Sequence, residues 1–168
     1  MQQLAFYKFV PALITAAMVA VSPGIEEPTT SSPKCKSVQA DLVEDLSTTA
    51  CKPGHPSCFL GEVDGNHGLR GTTYFRADSG AAGPSTSPGF RSYSGVFEYT
   101  TSRGTLVMRE TGVVNTTQGN PESGAVTAFQ QITEATGDFS GVTGHVFVSG
   151  FSLNQHVVTK VTGELCYP

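Results

Sequence analysis

The stretch Thr136-Gly137-Asp138-Phe139-Ser140-Gly141-Val142-Thr143-Gly144-His145-Val146-Phe147-Val148-Ser149-Gly150 decides the fold. Thr136-Gly137-Asp138 has the chemistry of a turn, and Gly141 and Gly144 let the chain bend again. Val142, Val146 and Val148 then fall on one face, with His145, Phe147 and Ser149 on the other. A period of two belongs to a half-buried strand, not to a helix. The same format, a small-residue turn and then about 8–12 residues of alternation, recurs through the chain.

Worked outward, this pattern predicts strands over Ser37–Leu46, Phe59–Val63, Leu69–Asp78, Arg91–Thr100, Thr105–Val114, Gly124–Glu134, the quoted stretch and Gln155–Cys166. Asp64-Gly65-Asn66 and Ser102-Arg103-Gly104 are turn signals between them. Ser79–Gly89 reads as a mobile low-complexity loop and Asn115–Ser123 as a turn. Asp41–Cys51 is the one short stretch with any helical period. Antiparallel strands with short connections give an all-β fold, an eight-stranded antiparallel up-and-down β-barrel. A two-sheet sandwich is the main rival, because strand number alone does not decide closure.

The 168 residues suit one domain. Residues 1–22 read as a signal peptide, since the apolar run Phe9–Val21 falls short of the ~20 residues of a membrane span; a short N-terminal membrane anchor is the alternative. Residues 23–34 are polar and proline-rich and read as a flexible leader, leaving 35–168 for the barrel. Localisation is then secreted, with no membrane partner once the signal is cleaved. Four cysteines, an even number beyond the signal, suit an oxidising compartment and two disulfides. Of the three pairings, Cys51–Cys58 closes a short loop, and Cys35–Cys166 ties the first strand to the last, which are neighbours in a closed barrel. No Cys-x-x-Cys pair supports zinc.

The formal charge is −4, with no basic run, which argues against nucleic acid as partner. Tryptophan is absent and phenylalanine outnumbers tyrosine 10 to 5, so Phe, Val and Leu must build the core. No Gly-x-Ser-x-Gly, phosphate loop or dinucleotide fingerprint occurs, and the four histidines form no constellation. No metal and no cofactor are expected.

Arg103-Gly104-Thr105-Leu106, Arg109-Glu110-Thr111-Gly112 and Ala135-Thr136-Gly137-Asp138-Phe139-Ser140-Gly141-Val142-Thr143-Gly144 resemble the allene oxide cyclase barrel superfamily. More narrowly they are similar to its small secreted dirigent-like proteins, in which a TGxFxGxxG turn precedes the seventh strand. The resemblance covers roughly Ser37–Cys166. It implies an eight-stranded barrel, often assembled as dimers or trimers. The activities it implies are cyclisation of an unstable oxylipin epoxide or guided coupling of phenoxy radicals, and related barrels cyclise polyketides. Paired acidic groups with Arg and Tyr inside the barrel matter in dirigent proteins.

The periods themselves assign an inward face that includes Val38, Leu42, Phe75, Tyr93, Phe97, Tyr99, Leu106, Met108, Val146, Val148, Val161 and Leu165. Glu44 and Glu110 share it. A carboxylate in an apolar pocket has a raised pKa and can serve as general acid or base. Glu110, in mid-strand, is the first catalytic candidate, with Tyr93 and Tyr99 as hydrogen-bond donors to a substrate oxygen. Glu44, Phe97, Met108 and Arg109 are the ligand-binding candidates. Glu44 lies near a strand end, where a carboxylate is usually solvated. Arg109 points outward by alternation unless a bulge turns it.

The bland alternatives are a structural Glu110–Arg109 pair and tyrosines that only fill the core. The function expected is a secreted barrel that binds a small apolar molecule and guides its cyclisation or coupling. A lipocalin-like carrier and an extracellular interaction protein are the alternatives. An outward apolar band of Val107, Phe129 and Phe147 suggests a homo-oligomer.

Overall fold

A computed structural model describes residues 33–117 and 120–168. The strands are β1 (Lys34–Ser47), β2 (Cys58–Gly65), β3 (Arg70–Ala82), β4 (Phe90–Thr101), β5 (Gly104–Thr117), β6 (Asn120–Ala135), β7 (Thr143–Leu153) and β8 (His156–Tyr167). Each pairs antiparallel with the next, and β8 pairs back on β1, so the sheet closes into an eight-stranded barrel. Closure removes every sheet edge, and the sandwich is thereby excluded. The expected signal peptide and all but the last two residues of the expected leader lie outside the described residues. Of those two, Lys34 already belongs to β1, opposite Tyr167.

Alternation sets what faces inward. Val38, Ala40 and Leu42 of β1, Leu106 and Met108 of β5, Val146 and Val148 of β7, and Val161 and Leu165 of β8 are buried in one core. Both disulfides have the expected pairing. Cys35 and Cys166 are direct partners in the β1–β8 register, so this bond staples the seam where the two ends of the sheet meet.

Several strand limits differ from expectation. Ser79–Ala82 is not loop: after a bulge between Ala77 and Ser79, β3 continues and pairs with Arg91–Ser94 of β4. These small residues carry no apolar alternation, and backbone pairing alone holds them, so periodicity had nothing to register. Asn115–Thr117 extends β5, and β6 already begins at Asn120, for the same reason. Asp41–Leu46 is strand, as expected, paired with β2 throughout and with β8 as far as Asp45.

The quoted glycine-rich stretch closes one end of the barrel. Gly137–Phe139 forms a short 3-10 turn that drives Phe139 into the core, fully buried. Gly137 has φ +63°, and a Cβ there would sit 2.4 Å from the Arg103 carbonyl, so the docking of this turn on the β4–β5 hairpin needs glycine. Asp138 donates its backbone N–H to the Arg103 carbonyl at 2.7 Å. The Arg103 guanidinium pairs with the Asp138 carboxylate at 3.1 Å and lies over the Phe139 ring. It also donates to the His67 carbonyl at 3.0 Å, linking the β2–β3 hairpin to the same plug.

Candidate functional site

At the opposite end the barrel is open. A cavity of about 840 Å³ enters between the long β3–β4 arm and the β7–β8 turn. Its wall includes Phe59, Phe75, Tyr93, Val114, Val126 and Val157, with Glu44 and Glu110 among them and Arg91, Asp78 and Gln155 also lining it. This is within the size range of a small-molecule site.

Glu110 is buried at 4 % exposure, near the middle of β5 and opposite Gln130 of β6. The Gln130 side-chain amide donates to the Glu110 carboxylate. The Tyr99 hydroxyl donates in turn to Gln130 Oε1 at 2.6 Å, which turns the amide nitrogen toward Glu110. The Tyr93 hydroxyl acts on the same carboxylate as a second donor. Burial pushes the Glu110 carboxyl above its ordinary value, and donation from Gln130 and Tyr93 partly offsets this.

Tyr93 gets its place from a missing side chain. Its register partner Gly112 faces inward, and a Cβ on Gly112 would lie 2.5 Å from the Tyr93 ring and hydroxyl. The tyrosine therefore lies flat over Gly112, beside Glu110. Burial, then the Glu110 charge, raises the pKa of its phenol far above the ordinary value, so it stays a neutral donor.

Glu44 corrects the expectation of a solvated strand end. β1 continues to Ser47, and Glu44 is buried at 6 % exposure. The side chain lies across Gly61 of β2, where a Cβ would meet the Glu44 Cγ at 2.6 Å. Thr73 donates its hydroxyl to Glu44 Oε1 at 3.3 Å. Burial first, and the Glu110 charge second, push the Glu44 carboxyl up to about 8, against a smaller lowering by Thr73. A group so placed is protonated at neutral pH and can donate, whereas Glu110 accepts from its neighbours.

The other candidates separate. Tyr99, Phe97 and Met108 face inward but do not line the cavity; they are packed below it, each 1 % exposed or less. Tyr99 reaches Glu110 only through Gln130, so it positions rather than touches a ligand. Phe97 stacks on Phe75 and Tyr99 in an aromatic wall that continues upward to Phe59 and Tyr93.

Arg109 is no lumen residue. No bulge turns it, and it lies on the outside, donating two hydrogen bonds to Asp78 at 2.5 and 2.9 Å. The guanidinium holds the Asp78 carboxyl below its usual range. The structural Glu110–Arg109 pair does not form either. Sequence reading missed Gln130, although its parity with the buried Val126 and Ala128 of β6 placed it inward. It also missed Gly61 and Gly112, whose role is the space they leave.

Among the described residues the grouping with metal-ligand character is Cys35, Glu164 and Cys166, and its two sulfurs are bonded to each other. Two disulfides are the chemistry of an oxidising, extracellular environment. No helix among the described residues is long and apolar enough to cross a membrane. The glycine-containing motifs quoted from the sequence divide between the two ends of the barrel. Arg103-Gly104 and Thr136–Phe139 meet in the plug, far along the strands from the cavity, and only Glu110 and Gly112 reach the site. No protein-family model matches the chain, and no curated protein matches it.

Proposed function

We propose that this protein is a secreted, dirigent-like barrel that holds a small apolar molecule in the open half of its lumen and guides its cyclisation or coupling. The observation that carries this reading is the cavity of about 840 Å³, whose largely apolar wall brings Glu110, Glu44 and Tyr93 together. Glu110, the acceptor of the network, acts as the base. Glu44 is the titratable partner beside it, and Tyr93 orients a substrate oxygen. The aromatic wall from Phe59 to Phe97 shapes the ligand. A screen of compact apolar compounds for turnover tests the reading. Glu110→Gln should lower kcat about 10²–10⁴-fold. An unchanged kcat would remove Glu110 from the chemistry.

A carrier is the second reading, favoured by one feature: Glu110 is already occupied by protein donors, as a structural carboxylate would be. Under it ligands bind and stabilise the protein, but no compound is turned over. Self-association belongs to the same proposal. Phe129 and Phe147 pack together on the outer face, and Phe151 and Val158 extend the exposed apolar band toward Val43. Val107 is half-buried and separate from it. Light scattering across a dilution series reads the outcome, and a monomer throughout refutes it.

A further inference from the structure

We propose that the molecule this cavity takes is an apolar organic cation, a hydrocarbon or aromatic body carrying an ammonium group seated between Glu44 and Glu110. This rests on the small-ligand reading above and narrows its chemical class. Buried carboxylates are ordinarily paired with a cation. Here every donor to the two is neutral: the Thr73 hydroxyl, the Gln130 amide and the Tyr93 phenol. Among the described residues no Lys, Arg or His forms an ion pair with either carboxylate.

Every element around Glu44 fits this account. β2 and β3 offer Gly61 and Thr73, and β8 offers Val157 and Thr159. Glu110 faces it from β5. The remaining charges belong to the rim, where Asp78 is already neutralised by Arg109 and Arg91 lines the cavity. His156 is taken by Asp45 on the outer surface. The deep half of the cavity therefore holds the Glu110 charge with no protein cation beside it, and Glu44 supplies a second when it ionises.

Its rings point to the same ligand. Phe59, Phe75 and Tyr93 line the cavity, with Phe75 ring centroids 6.3 Å from Phe59 and 5.7 Å from Tyr93. Aromatic faces attract an alkylammonium, most strongly where water is excluded. Carboxylates below and rings beside make one binding environment for a charge embedded in apolar surface.

The sign of the pH dependence separates this from a neutral ligand. A permanent cation favours ionised Glu44, so its binding releases a proton and tightens as pH rises through the titration of that group. A neutral ligand that accepts a hydrogen bond from protonated Glu44 binds more weakly over the same rise.

Titration calorimetry of the purified, disulfide-bonded protein tests it with benzyltrimethylammonium and its uncharged isostere neopentylbenzene, at about pH 6 and about pH 9. The ammonium should bind at least ~10-fold tighter than the hydrocarbon at the higher pH, a margin set by one charge pair. Its affinity should rise between the two pH values, and Glu44→Gln should flatten that rise. If the hydrocarbon binds as well as the ammonium or better, the cation is refuted and the small apolar ligand stands. If neither binds, both readings fall. Ammonium binding that is indifferent to both Glu44→Gln and Glu110→Gln puts the cation outside the lumen and refutes the proposal.

Discussion

Glu44 ties pH to stability through one side chain. Its carboxyl titrates at about 8 in the fold, against 4.5 as the ordinary value, so between those limits the folded state holds the proton more tightly. Stability is then greatest below the lower value, falls as pH rises through the window, and levels off above about 8. The loss is on the order of a few kcal/mol. Urea unfolding at several pH values measures it: Glu44→Gln should lose the Glu44 part of the slope, with a part of the same sign left by Glu110. A second residue-scale expectation concerns Gly112. Alanine there drives a methyl into the Tyr93 ring, and overpacking of this kind costs about 1–3 kcal/mol. The Tyr93 hydroxyl should also leave Glu110, visible as a changed phenol absorbance titration, whereas an unchanged titration would refute the contact. Parity alone put both glutamates and Tyr93 inward. It could not report that Gly61 and Gly112 leave room for two of these side chains, because absence of a side chain has no periodicity.

Among the elements, the β7–β8 hairpin carries a local conflict. Asn154 and Gln155 form its two-residue turn with φ +53° and +67°, the left-handed pair of a type I′ turn. Asparagine tolerates this and glutamine does not, at a cost of roughly 1–2 kcal/mol. Gln155→Gly should therefore raise stability by about 1 kcal/mol in chemical denaturation. Gln155 also lines the cavity, so a loss of ligand affinity in the same variant would explain its retention there. Strand existence was legible for all eight elements, because turn signals bound them and alternate residues give each an apolar inward face. Strand ends were not. Ser79–Ala82 and Asn115–Thr117 have no such contrast and are held by backbone pairing with β4 and β6.

At the scale of the molecule, the seam between β1 and β8 is the consequential join. Cys35 and Cys166 are 131 residues apart, and Cys51 and Cys58 only 7. Loop-closure entropy assigns about 5 kcal/mol to the long link and about 2 kcal/mol to the short one. The Cys35→Ser/Cys166→Ser variant should consequently lose more stability than Cys51→Ser/Cys58→Ser in denaturant titration. Equal losses would mean that strand pairing, rather than the bond, holds the seam. The barrel is also uneven along its axis. Phe139, Leu106, Leu165, Tyr99 and Phe97 fill the closed half, and the open half is left to the two carboxylates and the aromatic wall.

The sequence by itself determined the strand number and the inward parity of Glu44, Tyr93 and Glu110, and it favoured one disulfide pairing of three, which the structure then decided. All of these follow from local rules: a period of two, turn chemistry, and the neighbour relation that closure imposes on first and last strands. Only the tertiary structure decided how deep each inward residue lies. Tyr99, Phe97 and Met108 share a face with Tyr93 and Glu110, yet they pave the floor while the latter line a cavity. Depth along a barrel depends on strand stagger, bulges and the plug that Phe139 drives into one end. Stagger and plug are relations between segments distant in the chain, and no window of sequence contains them.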